Sequence, residues 1–405
     1  EIELLQNSEN LGGAGGFNAG MRRALHNRPE AKYLWLLDND VLADKNALKA
    51  LVFVMEKNPN AAICGSRIMD IANPNELIEL GAFIDYRMGD VARHIPHPEA
   101  LKDPNAVFAV DYVAACSLLA RASAVRKMGL WHEKFFIYWD DMEWGARFKA
   151  AGYEVLAANA SAVLHPSWIG RTSDHSAVWR CYYRTRNSLW FFSNYCTGTK
   201  RRFLLCRMIL RFMKTALAFH LRANSALGNA FAGGIRDFFK NSFGRKNFPP
   251  PVFPENINPE GIMFFPDPAA AGKMSSHLLN IKTKFHNAQI WAVVPCAEKT
   301  QWTALCGKDR VFAYTQMQNG RVPWGEKIKI MNFLKNSSWD LLISSGFAPK
   351  MGTVWGKYAA GTDPETGQMI SFGKTEWKKS LRLPFAACAF ILRAFLLPPP
   401  KDISK

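Results

Sequence analysis

Two aspartates one residue apart, Asp38-Asn39-Asp40, follow the apolar run Lys32 to Leu37 (KYLWLL). Carboxylates at the C-terminal end of a buried strand sit where open α/β sheets bind ligands, and their hard oxygens suit Mg²⁺ or Mn²⁺ bridged to a diphosphate. Asp-Asn-Asp is equally turn chemistry, so the triplet alone supports both readings. A second acidic pair, Asp140-Asp141, lies between the aromatic run Phe135 to Trp139 (FFIYW) and a helical pattern. Acids placed there either cap the helix or supply a general base that takes a hydroxyl proton from a sugar acceptor, whose apolar face the aromatic rings would suit. His165, in AVLHPSW, follows a further short strand pattern. A lone histidine is commonly structural, yet a neutral imidazole would complete a mixed oxygen and nitrogen site for Mn²⁺. Asn7 to Gly20 (NSENLGGAGGFNAG) gathers five glycines and three asparagines. Glycines admit close approach of backbone to phosphate or ribose, and a helix start offers unpaired N–H groups. The segment has neither the dinucleotide-binding glycine spacing nor the phosphate-loop lysine.

These groups need elements to hold them. Lys32 to Leu37 reads as a buried strand ending in a polar loop, and NLGGAGGFNAGMRRAL as a glycine-rich turn opening a helix. ADKNALKALVFVMEKNPN is a helix with Asp44 as its N-cap and Asn58-Pro59 as its stop, and AAICGSRIM is a strand. The aromatic run before Asp140 reads as a strand. This alternation predicts an α/β fold with a largely parallel sheet over residues 1–197. A helical segment, 198–246, threads Lys200, Arg201, Arg202, Arg207, Arg211, Lys214 and Arg222 through FLLCRMILRFMKTALAFHLR. It sets an apolar face beside a basic one, which fits a helix lying on a membrane surface or one packing against its own domain. Residues 247–262 read as a Pro/Asn-rich linker. Residues 263–375 form a second, smaller α/β unit of Rossmann-like pattern, with strands at Ala288–Val294, Arg310–Tyr314 and Trp339–Ser344. Residues 376–405 are a basic and apolar tail with a helix candidate from Trp377 to Leu397.

The chain has 405 residues, 48% hydrophobic, which supports two or three domains with real cores and excludes global disorder. Its net charge of +17 asks for a polyanionic neighbour: nucleic acid, an anionic membrane surface or a phosphorylated substrate. Eight dispersed cysteines without a CxxC pair point to a reducing compartment, with neither a zinc site nor a disulfide framework. No run is long enough for a membrane span, and no signal peptide is visible. The opening EIELLQN has the look of mid-domain sequence, so an N-terminal segment is expected to be missing.

NLGGAGG, the strand with DND, YWDD with KAAGY, LHPSW and the YYRTRN run of Tyr182 to Asn187, in this order, resemble an inverting family 2 glycosyltransferase of GT-A fold. The nearest likeness is to bacterial galactofuranosyltransferases, then to rhamnosyltransferases, and it covers about the first half of the chain. The resemblance implies an N-terminally truncated GT-A nucleotide-sugar-binding domain. Asp38, Asp40 and His165 would hold a divalent cation, Mn²⁺ or Mg²⁺. Asp141 would be the catalytic base, with Asp140 orienting the acceptor. Trp139, Trp168 and Arg186 would line the sugar site. Asn10, Gly12, Gly13, Gly15, Gly16 and Asn39 would lie near the donor, Asn39 replacing the middle acid of the galactofuranosyltransferase pattern. The implied donor is UDP-galactofuranose, then dTDP-rhamnose, and the acceptor a growing glycan on a polyprenyl diphosphate. That places the protein peripherally on the cytoplasmic face of a bacterial inner membrane, with a homo-oligomer as an option.

Two rival readings are a nucleic-acid-binding protein and a non-catalytic scaffold of a glycan assembly complex. The first is disfavoured because the basic residues lie on apolar-faced helices and no nucleic-acid motif is present. FHNAQIWAVV with SSWDLLIS is similar to the N-terminal half of a heptosyltransferase-like GT-B domain, without a catalytic motif; an accessory docking domain is the other reading.

Overall fold

The computed structural model describes residues 2–167, 176–220, 225–248, 259–265, 271–315, 322–335, 339–345, 356–362, 369–374 and 382–397. The chain opens with α1 (Gly12–Asn27), β1 (Tyr33–Leu37), β2 (Leu42–Ala43), α2 (Ala47–Lys57) and β3 (Ala61–Asp70). Short elements follow: β4 (Leu77–Glu79), β5 (Ala82–Asp85), β6 (Asp90–Arg93), α3 (Pro98–Lys102) and β7 (Val107–Ala109). Then come β8 (Ser117–Arg121), α4 (Ala122–Met128), α5 (Asp140–Ala150) and β9 (Glu154–His165). The sheet runs β1-β8-β3-β9-β2, with β4 beside β3 and β7 beside β9.

Alternation sets the two faces. Leu34 and Leu36 of β1, with Ile63, Leu118 and Ala120, face Ala14 and Met21 of α1. Cys64, Leu119, Leu156 and Ala158 face Leu51, Val54 and Met55 of α2. Both helices carry their apolar residues three and four apart, the spacing of a single buried stripe.

The sheet departs from the parallel expectation. Only β3 and β9 run parallel; β8 is antiparallel to both β1 and β3, and β2, β4 and β7 are antiparallel additions. After β3 the chain returns through short strands and the β5–β6 hairpin instead of a long crossover helix, so β8 enters from the opposite end. The cap of α2 also differs. Asn46 stands at that position, while Asp44 closes a turn by accepting from the Asn46 N–H at 2.8 Å.

A helical layer follows, α6 (Ser176–Tyr195), α7 (Gly198–His220) and α8 (Ser225–Phe239). Leu204, Leu205, Met208, Ile209 and Met213 of α7 are buried, so most of the apolar face of the basic segment is used in packing within the chain.

The second sheet contains β10 (Gly261–Phe265), β11 (Gln289–Pro295), β12 (Val311–Tyr314), β13 (Trp339–Ser345), β14 (Gly356–Thr362) and β15 (Met369–Lys374). Helices α9 (Ala271–Lys284), α10 (Lys299–Cys306) and α11 (Trp324–Lys335) are interleaved with them. The order is β12-β11-β10-β13-β14-β15, parallel except for β15. Counted within this unit it reads 3-2-1-4-5-6, a Rossmann-type winding. Ile262 to Phe265 and Leu341 to Ile343 are buried runs, as strands covered on both faces require. The three strands expected from sequence are present to within a residue; β10 lay partly inside the expected linker, most of which falls outside the described residues. The last element, α12 (Arg382–Leu396), packs back on α7, where Arg201 donates to the Leu397 carbonyl at 2.7 Å.

Candidate active site

Strand pairing brings the DND triplet and His165 together. The Asp38 N–H donates to the Cys116 carbonyl at 3.3 Å, extending the β1–β8 ladder one residue beyond the strand. β2 then pairs with the end of β9, Leu42 opposite Leu164, so Asp40 arrives beside His165. His165 Nε2 lies 3.4 Å from Asp40 Oδ1 and 3.9 Å from Asp38 Oδ2. Its Nδ1 is 2.7 Å from the Pro166 carbonyl, which orients the ring with Nε2 toward the carboxylates. One donor atom from each of the three residues fits within a 4.8 Å cluster. Burial pushes the Asp38 carboxyl above the ordinary range, the His165 charge opposes this, and the Asp40 charge adds to it. Two hard oxygens and one imidazole, with the carboxylates repelling each other, form a donor set that fits Mn²⁺ or Mg²⁺.

The carboxylate pair is held by a different device. Residues 135–139 do not form the expected strand. After a single 3₁₀ turn, Glu133–Phe135, the chain places Phe136, Tyr138 and Trp139 at φ of 68°, 64° and 68°. Each is a bulky residue in left-handed space, a conformation that costs on the order of 1–3 kcal/mol unless its surroundings impose it. α6 imposes it. The Asn187 amide donates to the carbonyls of Phe135, Ile137 and Tyr138 at 3.0, 2.8 and 2.8 Å. Arg186 donates to those of Phe135 and Gly244 at 2.9 and 3.0 Å. From the other side, the Ala14 N–H donates to the Phe136 carbonyl at 3.2 Å. Gly12, at φ +71°, lies so close that a Cβ would stand 2.1 Å from that oxygen.

The glycine run is therefore the first turn of α1, docked on the twisted segment. A Cβ on Gly13 would lie 3.5 Å from Asp140 Oδ2. Asp140 opens α5 at only 5% exposure, whereas Asp141 is partly exposed and accepts from the Met142 N–H at 2.8 Å. Burial raises both carboxyls; the neighbouring Asp141 charge adds to the rise at Asp140, and the Asp38 charge raises each. The cation cluster and the pair are thus electrostatically one site.

Sequence reasoning missed a further acid. Glu79, at the end of β4, is 2% exposed and its Oε1 has no hydrogen-bond partner. Burial first, then the Asp141 charge, push its carboxyl up to about 8 against the opposing Arg93 charge. The one available signal was an acid enclosed by the apolar residues of LIELGAF.

Several expected residues lie elsewhere. Arg186, expected in the sugar site, is 1% exposed and spent on backbone carbonyls. Trp139 is buried with its ring 5.0 Å from Phe191 and 5.3 Å from Phe192, so it packs the core and does not line a sugar cleft. Their sequence signature, aromatic and basic residues near acids, is the same for a sugar platform and for a scaffold. Asn10 Oδ1 accepts from the Gly12 N–H at 2.9 Å on the surface. Gly15 presses on the Leu11 side chain, Gly16 faces open space, and Asn39 is exposed. Trp168 lies outside the described residues.

Residues 1–112 match the family model described as Glycosyl transferase family 2. The chain is 24% identical over 199 residues to galactofuranosyltransferase GlfT2 of Mycobacterium tuberculosis, covering 46% of this chain and 31% of that protein. It is 24% identical over 201 residues to GlfT2 of Mycolicibacterium smegmatis, covering 46% and 30%. The chain spans about a third of the length of these relatives. A crystal structure of GalNAc-T7 with UDP, GalNAc and Mn²⁺ superposes with a TM-score of 0.40 at 15% identity, covering 58% of this chain and 44% of that one. The family match and the curated relatives support the likeness to family 2 glycosyltransferases near the galactofuranosyltransferases.

Asn187→Ala removes the side-chain donor from the Ile137 and Tyr138 carbonyls and leaves that of Phe135 to Arg186 alone. The expected loss is about 2–4 kcal/mol in urea unfolding, with the near-ultraviolet signal of the aromatic turn changed before the fold is lost. Glu79 gives a pH dependence. A carboxyl whose pKa is higher when folded contributes stability below its unfolded value, near 4.3, and loses it as pH rises through the folded value, about 8. Glu79→Gln should flatten the melting temperature across that window and raise it at the alkaline end; an unchanged slope would place the pH sensitivity elsewhere.

Proposed function

We propose that the chain is a metal-dependent inverting glycosyltransferase, a hexosyltransferase moving a sugar from a nucleoside diphosphate to a glycan acceptor. The observation that carries this is the pairing of a two-carboxylate, one-imidazole cluster with a second carboxylate pair, buried Asp140 and partly exposed Asp141, whose pKa values the Asp38 charge raises. The family 2 match of residues 1–112 and the likeness to two galactofuranosyltransferases favour UDP-galactofuranose as donor, with dTDP-rhamnose as the alternative. The acceptor is a growing glycan carried on a polyprenyl diphosphate, which brings the protein to the cytoplasmic face of the inner membrane. The catalytic unit is residues 1–197, the unit 263–375 is accessory, and self-association is compatible with both.

The reaction is one in-line displacement. The acceptor hydroxyl attacks the anomeric carbon, the bond to the diphosphate oxygen breaks, and configuration inverts. Asp141 takes the hydroxyl proton: it is the more exposed member of the pair, and its raised pKa suits a base working near neutral pH. Asp140, deeper and beside Gly13, positions Asp141 and the acceptor. Asp38, Asp40 and His165 would hold a divalent cation, which when bound would neutralise charge on the departing diphosphate.

UDP with Mn²⁺ should raise the melting temperature of the wild type and leave Asp38→Ala unmoved, because a ligand specific to the folded state stabilises it by mass action. Asp141→Asn should retain that shift while losing turnover by at least about a hundredfold. In the wild type, activity should rise with pH along an acid limb lying above the ordinary aspartate range, since burial raises the base. A preference for dTDP selects rhamnose. No nucleotide shift in any condition defeats the donor-site assignment and leaves a scaffold as the better account.

A further inference from the structure

We infer that α7 and α12 together form a docking face for an anionic lipid bilayer. The face is read from these two helices alone and stands whether or not the chain transfers a sugar. Packing within the protein consumes one side of α7 and leaves another. On the open side Lys200, Phe203, Arg207, Leu210 and Lys214 are exposed, at successive spacings of three, four, three and four. That spacing puts them in a single stripe along the helix, alternately cationic and apolar. Phe203 and Leu210 are 66% and 52% exposed.

The second half of the face comes from nearly 200 residues further along the chain. Arg201 reaches the Leu397 carbonyl and Cys206 Sγ approaches the Ile391 carbonyl at 3.8 Å, so α12 runs antiparallel to α7. On the outside it presents Leu392, Phe395 and Leu396, the first and last 63% and 74% exposed, with Arg393 among them. Phe203 meets Phe395 edge to face, ring centres 5.9 Å apart, which joins the two stripes into one surface. Five large apolar side chains therefore stand in solvent between four cations, Lys200, Arg207, Lys214 and Arg393. Neither Gly198–His220 nor Arg382–Leu396 contains an aspartate or glutamate. The nearby Arg211 is engaged by Asp90 at 3.5 Å and by the Gly89 carbonyl, outside the stripe.

The chemistry selects the occupant. A second copy of the same face would set cations against cations. Nucleic acid would satisfy the cations but leave five apolar groups against water and phosphate. An anionic bilayer answers both, with headgroups for the Lys and Arg tips and the acyl boundary for the rings and leucines. No described helix is long and apolar enough to cross a membrane, so the contact is one of lying on the surface.

The test is flotation of the full chain with phosphatidylglycerol-containing vesicles and with pure phosphatidylcholine vesicles. Binding is expected on the anionic vesicles, weakened by added salt, and negligible on the neutral ones. Two variants remove the face independently: Phe203→Ser with Leu392→Ser and Leu396→Ser, and Lys200→Glu with Arg207→Glu and Lys214→Glu. Each should lower the partition coefficient by at least about tenfold with an unaltered circular dichroism spectrum. All six positions are exposed, and the charge-reversed variant leaves the apolar contacts intact, so one reads out even if the other unfolds. Absence of binding to anionic vesicles overturns the inference, as does binding that survives both variants. So does a single-stranded oligonucleotide that displaces the vesicles and binds the serine variant as tightly as the wild type.

Discussion

The side-chain amide of Asn187 is the contact on which the site geometry rests. It gathers three carbonyls from the four residues Phe135 to Tyr138 and so fixes a backbone that bulky aromatic residues would otherwise avoid. Everything the site needs from this region follows from that bend. It ends the 3₁₀ turn, starts α5 with Asp140 and Asp141 at its first turn, and exposes the Phe136 carbonyl as the seat for α1. Arg186 shares the Phe135 carbonyl and adds that of Gly244, with its guanidinium near Tyr182 and Tyr183, which keeps a buried cation hydrogen-bonded and among aromatic faces.

The second constraint is electrostatic. Asp38, Asp40, Glu79, Asp140 and Asp141 gather acidic charge at the candidate site of a chain whose net charge is +17. The carboxyls of Asp38, Glu79, Asp140 and Asp141 are pushed up first by loss of water, and the Asp38 charge adds to the rise at Asp140 and Asp141. Helices α7 and α12, by contrast, carry cations and no aspartate or glutamate. Charge is thus unevenly placed, acidic at the candidate site and basic on these two helices.

The legible part of the fold was the part written in local periodicity. β1, α2, β3 and β9, and three strands of the second sheet, show apolar alternation or helical stripes with clear stops. The parallel sense of the first sheet was misread because strand direction depends on how the chain returns, and the short antiparallel pieces between β3 and β8 have little pattern of their own. FFIYW reads as a strand by β propensity, but the amide of a residue about 50 positions later overrides that preference. The family resemblance implied Trp139 and Arg186 for a sugar site; the structure buries both, and burial is not a local property.

By itself the sequence determined the kinds of groups present and their order along the chain: paired acids after a strand, paired acids before a helix, a histidine at a strand end and a basic amphipathic helix. These follow from residue type and spacing, which act within a few residues. Tertiary structure decided which groups meet. It set His165 against Asp38 and Asp40 through the β2–β9 pairing and added Glu79 to the acidic region from a three-residue strand. It also joined α7 to a helix from the far end of the chain. Such contacts depend on strand register and helix packing, which are fixed only when distant segments bury their apolar faces against one another.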